Sequence, residues 1–214
     1  MKKWSVAALA LCMAASLMAC GAPSQKVVNP QICAGELTEQ EENLVKLYGV
    51  EHTGKLFDYQ VGEEIKSLQL EVWEWADGAW MPVSGGVSGY ALEAGEGRLL
   101  IAFDRLHDGK EKRVALQTES GTSASAWYPV STPPTEEAET TEAGFIRLSD
   151  PTEILCDRPV ALWIEYGPSA GNSFSMSLSH FEHPERIEAG AYDYVYAVTV
   201  TFSEKTLGEL SGEG

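Results

Sequence analysis

Along most of the chain the apolar residues recur at every second position, a spacing that suits a half-buried strand and not a helix. Leu99, Ile101 and Phe103 share one face of RLLIAFD, and Phe174, Met176 and Leu178 share one face of SFSMSLS with serines opposite. In RPVALWIEY, Val160, Leu162, Ile164 and Tyr166 oppose Ala161, Trp163 and Glu165. The longest run sets Tyr192, Tyr194, Tyr196, Val198, Val200 and Phe202 against Asp193, Val195, Ala197, Thr199 and Thr201, so both faces carry material to bury. KLFDYQV, KRVALQTE and GFIRLSD are shorter runs of the same kind. About eight to ten strands with turns rich in Gly, Pro and Asp predict a mainly β fold, an antiparallel β-sandwich.

One short N-terminal amphipathic helix is also signalled. Thr38 and Glu41 form a capping box, Glu39, Glu41 and Glu42 load the first turn, and Gly49 can supply the C-cap. Leu44, Leu47 and Tyr48 fall on one face and should dock on a core. The expected divisions are a leader over 1–19, a spacer over 20–36, a sandwich over 37–205 and a flexible tail over 206–214. Near 132–143, Pro133 and Pro134 precede Glu136, Glu137, Glu139 and Glu142. This acidic stretch is either a loop of one sandwich or a link between two small β-domains; the loop is preferred, because each half alone would have too few strands to build a core.

The leader has its own anatomy. Lys2 and Lys3 precede the apolar run WSVAALALCMAASLMA and a small-residue junction at Ala19, Cys20 and Gly21. A membrane span needs about 20 apolar residues, and here the run is shorter and interrupted by Ser5 and Ser16. Leu17, Met18, Ala19 and Cys20 resemble the lipobox of bacterial lipoproteins. The resemblance implies cleavage before Cys20, diacylglycerol on its thiol, and a chain held at the extracytoplasmic face of the cell membrane.

Charge bears on partners. Removing the leader, with two lysines and no acid, leaves 195 residues with 13 basic and 32 acidic groups, a formal charge of −19. Nucleic acid is excluded as a partner, since phosphate binding uses clustered Lys and Arg. Anionic headgroups repel such a surface, so attachment falls to the acyl chains and the folded part stands off the membrane.

Two of the four cysteines remain once Cys12 leaves and Cys20 is acylated. Cys33 and Cys156 could form a disulfide closing a loop of 123 residues, a stabilisation of roughly 4–5 kcal/mol. The alternative is two unrelated thiols, one exposed and one buried.

The segment SLQLEVWEWADGAWMPVSGG carries the strongest local signal. Asp77-Gly78 between two extended runs specifies a type I′ hairpin. Its register sets Ala76 against Ala79, Trp75 against Trp80, Glu74 against Met81 and Val72 against Val83. Leu68, Leu70 and Val72 then take one face; Gln69, Glu71, Trp73, Trp75 and Trp80 take the other. Trp73, Trp75 and Trp80 could form a platform for a sugar ring or hydrophobic ligand, with Glu71 as acceptor. Equally, the cluster could staple its own hairpin or lie under the helix or the acidic loop.

Other constellations are weaker. His180 and His183 in HFEHPE, beside Glu182 and Glu185, are candidate metal ligands, but the stretch reads more simply as a polar loop, and no metal or other cofactor is expected. Asp104 and Asp108 lack the ligand pattern of a calcium loop, and Ser88 lies outside any G-x-S-x-G elbow. No catalytic motif is present, so the chain is not expected to be an enzyme. With FDYQVGEEIKSLQLEVWEW, HPE and YVYAVTVTF, the chain resembles small acidic lipoproteins of Gram-positive gut bacteria, a group with no established activity. That resemblance implies surface display on a single-membrane cell and makes a structural disulfide less expected. Two roles follow: a tethered, non-catalytic sandwich that binds a glycan, peptide or other ligand, or an accessory envelope lipoprotein that binds another protein and has no small-molecule site.

Overall fold

The computed structural model describes residues 29–47, 54–83, 88–92, 95–105, 111–118, 123–129, 144–169 and 175–211. The leader, Cys20 and the acidic stretch near 132–143 lie outside the described residues. The elements run β1 (Gln31–Ala34), α1 (Glu39–Leu47), β2 (Gly54–Gln60), β3 (Ser67–Ala76), β4 (Ala79–Pro82), β5 (Ser88–Ala91), β6 (Glu96–Arg105), β7 (Glu111–Thr118), β8 (Ser123–Pro129), β9 (Gly144–Arg147), β10 (Thr152–Glu153), β11 (Pro159–Pro168), α2 (Ser179–Glu182), β12 (Tyr192–Ser203) and α3 (Leu207–Ser211).

The strands form two antiparallel sheets that face each other as a sandwich. The first has the order β10-β1-β2-β6-β7-β8; the second has β4-β3-β12-β11-β9, with β5 pairing β3 beside β4. Strands from before and after the acidic stretch enter both sheets, which makes one sandwich rather than two domains. Between the sheets lie Ile32, Phe57, Leu99 and Ile101 from the first, and Leu68, Leu70, Val72, Val198, Val200 and Phe202 from the second. These are the period-two faces of the sequence, each removed from water by the opposite sheet.

The Asp77-Gly78 hairpin has the expected register, Glu74↔Met81, Trp75↔Trp80 and Ala76↔Ala79. Asp77 and Gly78 both take positive φ, 53° and 82°, as a type I′ turn requires. Three other glycines pair across strands with tyrosines: Gly97 with Tyr59, Gly144 with Tyr166 and Gly167 with Tyr194. In each the ring lies where a Cβ would stand, so the aromatic side chain covers backbone that glycine leaves bare.

Four expectations need correction. The alternation in β11 breaks at a bulge: Ala161 pairs Thr199 and Trp163 pairs Val198, leaving Leu162 as the extra residue. A bulge advances the phase by one, so Val160, Leu162 and Trp163 all enter the inter-sheet core, while Ile164 and Tyr166 turn to the outer face of the second sheet. A second shift between Gly167 and Pro168 takes Tyr192 out of its run and sets it edge-on to Tyr166 at 5.3 Å. Residues 175–178, expected as strand, carry no strand pairing and lead into α2, because Met176 and Leu178 cap the outer face instead of extending a ladder. The spacer and tail boundaries also move: Gln31–Ala34 is a strand of the first sheet, and Leu207–Ser211 is a helical turn.

α1 starts at the expected capping box: Glu41 Oε2 accepts from Thr38 N–H at 2.7 Å, and Thr38 Oγ1 accepts from Glu41 N–H at 3.3 Å. Of the expected apolar face, Leu47 is 79% exposed, and the side chains of Leu44 and Tyr48 lie outside those described. A polar clamp grips the start of the helix. Arg98 on β6 donates to Glu41 Oε1 at 2.9 Å, to the Glu36 carbonyl at 2.7 Å and to Asp58 Oδ1 at 3.2 Å. Tyr48 and Gly49 lie outside the described residues.

Candidate functional site

The tryptophan hairpin lies on the outer face of the second sheet. The register of β3 against β12 puts Glu71 beside Thr199 and Trp73 beside Ala197. Trp73, Trp75 and Trp80 are brought together there, each half-buried, with Ile164, Val195, Ala197 and Met176. Among the described residues, α2 and the residues before it cover them; the acidic stretch lies outside that set. Phe181 stands edge-on to Trp73 at 5.8 Å and tilted against Trp80 at 5.3 Å between ring centroids. Two indole donors are already used, Trp73 Nε1 by Thr199 Oγ1 at 3.0 Å and Trp80 Nε1 by the His180 carbonyl at 3.3 Å. Trp75 Nε1 is buried and has no hydrogen-bond partner among the described residues. Glu71 sits partly shielded beside these rings, and burial pushes its carboxyl above the ordinary value.

The two histidines turn to local tasks. Nδ1 of His180 accepts from the Ser177 N–H at 3.1 Å and lies 2.8 Å from Ser177 Oγ. The ring thus folds back on the turn that leads into α2, where the His180 N–H donates to the Ser177 carbonyl at 3.1 Å. His183 Nδ1 is 3.3 Å from Glu185 Oε1. Among the described residues no three His, Cys, Asp or Glu side chains converge to hold a metal ion.

Cys33 and Cys156 are free thiols, the first half-buried in β1 and the second exposed in the turn after β10. The bridge entertained from the sequence is not formed, and the register explains why. Gln31 pairs Glu153 and Ile32 pairs Thr152, so Cys33 and Cys156 lie beyond opposite ends of the paired segment. Their separation is roughly 15 Å at strand spacing, about twice what a disulfide allows. Ser88 lies in β5 and Asp104 in β6, while Asp108 is outside the described residues.

The cavity that sequence reasoning missed lies between α1 and the outer face of the first sheet. The pairs Gly54↔Ala102, Leu56↔Leu100 and Asp58↔Arg98 form one cross-strand row on that face. Arg98 and Asp58 clamp the start of α1 at one end of the row. At the other, a space of about 370 Å³ is lined by Leu37, Leu56, Leu100 and Ala102, with Glu42, Lys46, Lys55 and Arg147 among its other walls. That volume is at the small end of the range that holds small organic ligands, ~300–1,000 Å³. Glu42 and Lys46 face each other across one helical turn at 3.6 Å. Arg147 is positioned by the core, its guanidinium 4.3 Å from the centroid of Trp163, and burial lowers its pKa. One signal was present in the sequence: in RLLIAFD the face opposite Leu99 and Ile101 carries Leu100 and Ala102, and a strand apolar on both faces is covered on both.

No family model, curated protein or solved structure matches the chain.

Proposed function

We propose that the chain is a lipid-anchored, extracytoplasmic β-sandwich that binds a small apolar ligand in the cavity beneath α1 and does not transform it. The anchor rests on Lys2, Lys3, the apolar run and Leu17-Met18-Ala19-Cys20. The binding role rests on one observation: a cavity with an apolar floor, Leu56, Leu100 and Ala102, beneath a helix whose start is gripped by the Arg98 clamp and whose Leu47 is exposed. Apolar surface that lines a cavity is available to a ligand at low cost in reorganisation. The hairpin tryptophans support this role less well, because Phe181 already packs on two of them.

Two measurements test the proposal. Nile red, which is neutral, should bind saturably to the wild-type chain and not to Ala102→Trp, whose indole fills the cavity, while far-UV circular dichroism stays the same. Labelled palmitate should enter the wild-type chain in cells and not Cys20→Ala. Absence of saturable dye binding in a folded wild-type chain would remove the binding role. Capture of one envelope protein by a variant with its cavity filled would favour the accessory role instead.

A further inference from the structure

We infer that the chain has a second binding site, a notch between β10, β11 and α2, that takes a short apolar peptide with free ends. The notch shares none of the described residues that line the cavity beneath α1. Its basis is the edge of β11. β9 pairs with residues 163–166 of β11, one further bond joins the Leu148 N–H to the Leu162 carbonyl, and β9 then leaves the sheet. Pro159, Val160 and Ala161 therefore pair with β12 on one side and with no strand on the other among the described residues. Beside that bare edge is a space of about 260 Å³. An unpaired edge offers main-chain groups to an extended segment.

The walls supply the rest of the recognition. Leu148 and Val160 reach the space from the core, and Leu155 and Leu178 add apolar surface to it. Glu153 from β10, Glu182 from α2 and Arg158 from the turn into β11 line the same space. None of these three side chains enters an ion pair or a hydrogen bond among the described residues. A fatty acid would bring its carboxylate to Glu153 and Glu182, and an alkylammonium would bring its charge to Arg158; neither pairs with the β11 edge. A peptide with free ends answers each feature, with its ammonium toward the carboxylates, its carboxylate toward Arg158, its amide along β11 and its side chains on the leucines. An apolar cavity of about 150 Å³ holds benzene, so this space suits about two residues and not a folded partner. The three charged groups are exposed, so each end of the peptide contributes a modest factor, about threefold.

The test titrates the full lipid-anchored chain calorimetrically, in nanodiscs of zwitterionic lipid, with Leu-Leu, N-acetyl-Leu-Leu, Leu-Leu-amide and N-acetyl-Leu-Leu-amide; empty nanodiscs correct for partition into lipid. Capping one end should weaken binding about threefold and capping both about tenfold. Arg158→Gln should weaken Leu-Leu about threefold and leave Leu-Leu-amide unchanged, and Glu153→Gln with Glu182→Gln should weaken Leu-Leu and leave N-acetyl-Leu-Leu unchanged. Ala161→Trp, which fills the notch, should abolish Leu-Leu binding with the far-UV circular dichroism unchanged, whereas Ala102→Trp should leave that binding intact. Absence of saturable Leu-Leu binding, equal binding of the free and doubly capped peptides, or indifference to the charge substitutions would overturn the inference. Binding lost in Ala102→Trp and kept in Ala161→Trp would move the peptide to the cavity beneath α1 and overturn the notch.

Discussion

Replacing Phe181 with Ala tests the covering of the hairpin tryptophans directly. Complete burial makes a Phe→Ala change cost about 3–5 kcal/mol; Phe181 is half-buried, which brings the expected loss to roughly 2 kcal/mol. Its ring touches Trp73 and Trp80, and α2 itself buries no residue completely, so this contact and the bond from Trp80 Nε1 to the His180 carbonyl hold much of the segment on the sheet. Urea unfolding followed by far-UV circular dichroism gives the stability change, and acrylamide quenching gives indole access, which should rise in the variant. A cycle with Trp80→Ala should return a coupling of about 0.5–1.5 kcal/mol. A loss below about 0.5 kcal/mol with unchanged quenching would mean that Phe181 does not seat α2. Full access to quencher in the wild-type chain would restore the open aromatic platform as a binding surface.

Further outcomes are expected. Gly167→Ala should cost about 1–3 kcal/mol, because its Cβ would stand 2.4 Å from the Tyr194 ring; calorimetric melting should show most of that loss gone in a Tyr194→Ala background. Thr38→Ala should cost about 1 kcal/mol of local stability in α1, read as faster amide exchange. Hydrogen bonds from Thr38, and then Arg98, hold the Glu41 pKa below 4.5, so their contribution is complete above that value and is lost as pH falls through the depressed one; amide protection factors in α1, taken relative to intrinsic exchange at each pH, should fall on acidification in the wild-type chain. The Glu71 pKa is raised above 4.5 by burial, so its charge opposes folding at neutral pH and that penalty fades as pH falls through the raised value; Glu71→Gln should raise the urea midpoint at pH 7 and match the wild type below pH 4.5. Thiol titration of the lipidated chain should find Cys156 fast and Cys33 slow, with both reactive after denaturation; a chain with neither reactive would restore the bridge.

Local signals were the most legible. The turn residues Asp77-Gly78 and the Thr38–Glu41 box act within four residues and appear as expected. A second box of the same kind, Thr206 with Glu209, starts α3; its pattern lies in plain view in TLGE, inside what had been assigned to a flexible tail. The β11 face was misread because a bulge leaves no periodic trace: Leu162 and Trp163 are consecutive and both buried, which no alternation can express. SFSMSLS misled for the opposite reason, since a short segment capping a sheet face can alternate as a strand does. The tryptophan site was half legible. Which side the rings take follows from the hairpin register, but the identity of their cover, Phe181, comes from a residue 100 positions or more away.

What the sequence determined by itself was the mainly β character, the two capped starts, the hairpin register, and which residues of β3 and β12 face inward, because turns, caps and period-two patterns are short-range preferences of the backbone and its side chains. Tertiary structure decided the rest. It interleaved strands from both ends of the chain into two sheets, parted Cys33 from Cys156, turned Trp163 into the core through a bulge, and left the space under α1 by gripping that helix at one end through Arg98. Each of those depends on contacts between residues far apart in the chain, where loop closure and packing, rather than local preference, set which of the compatible arrangements is most stable.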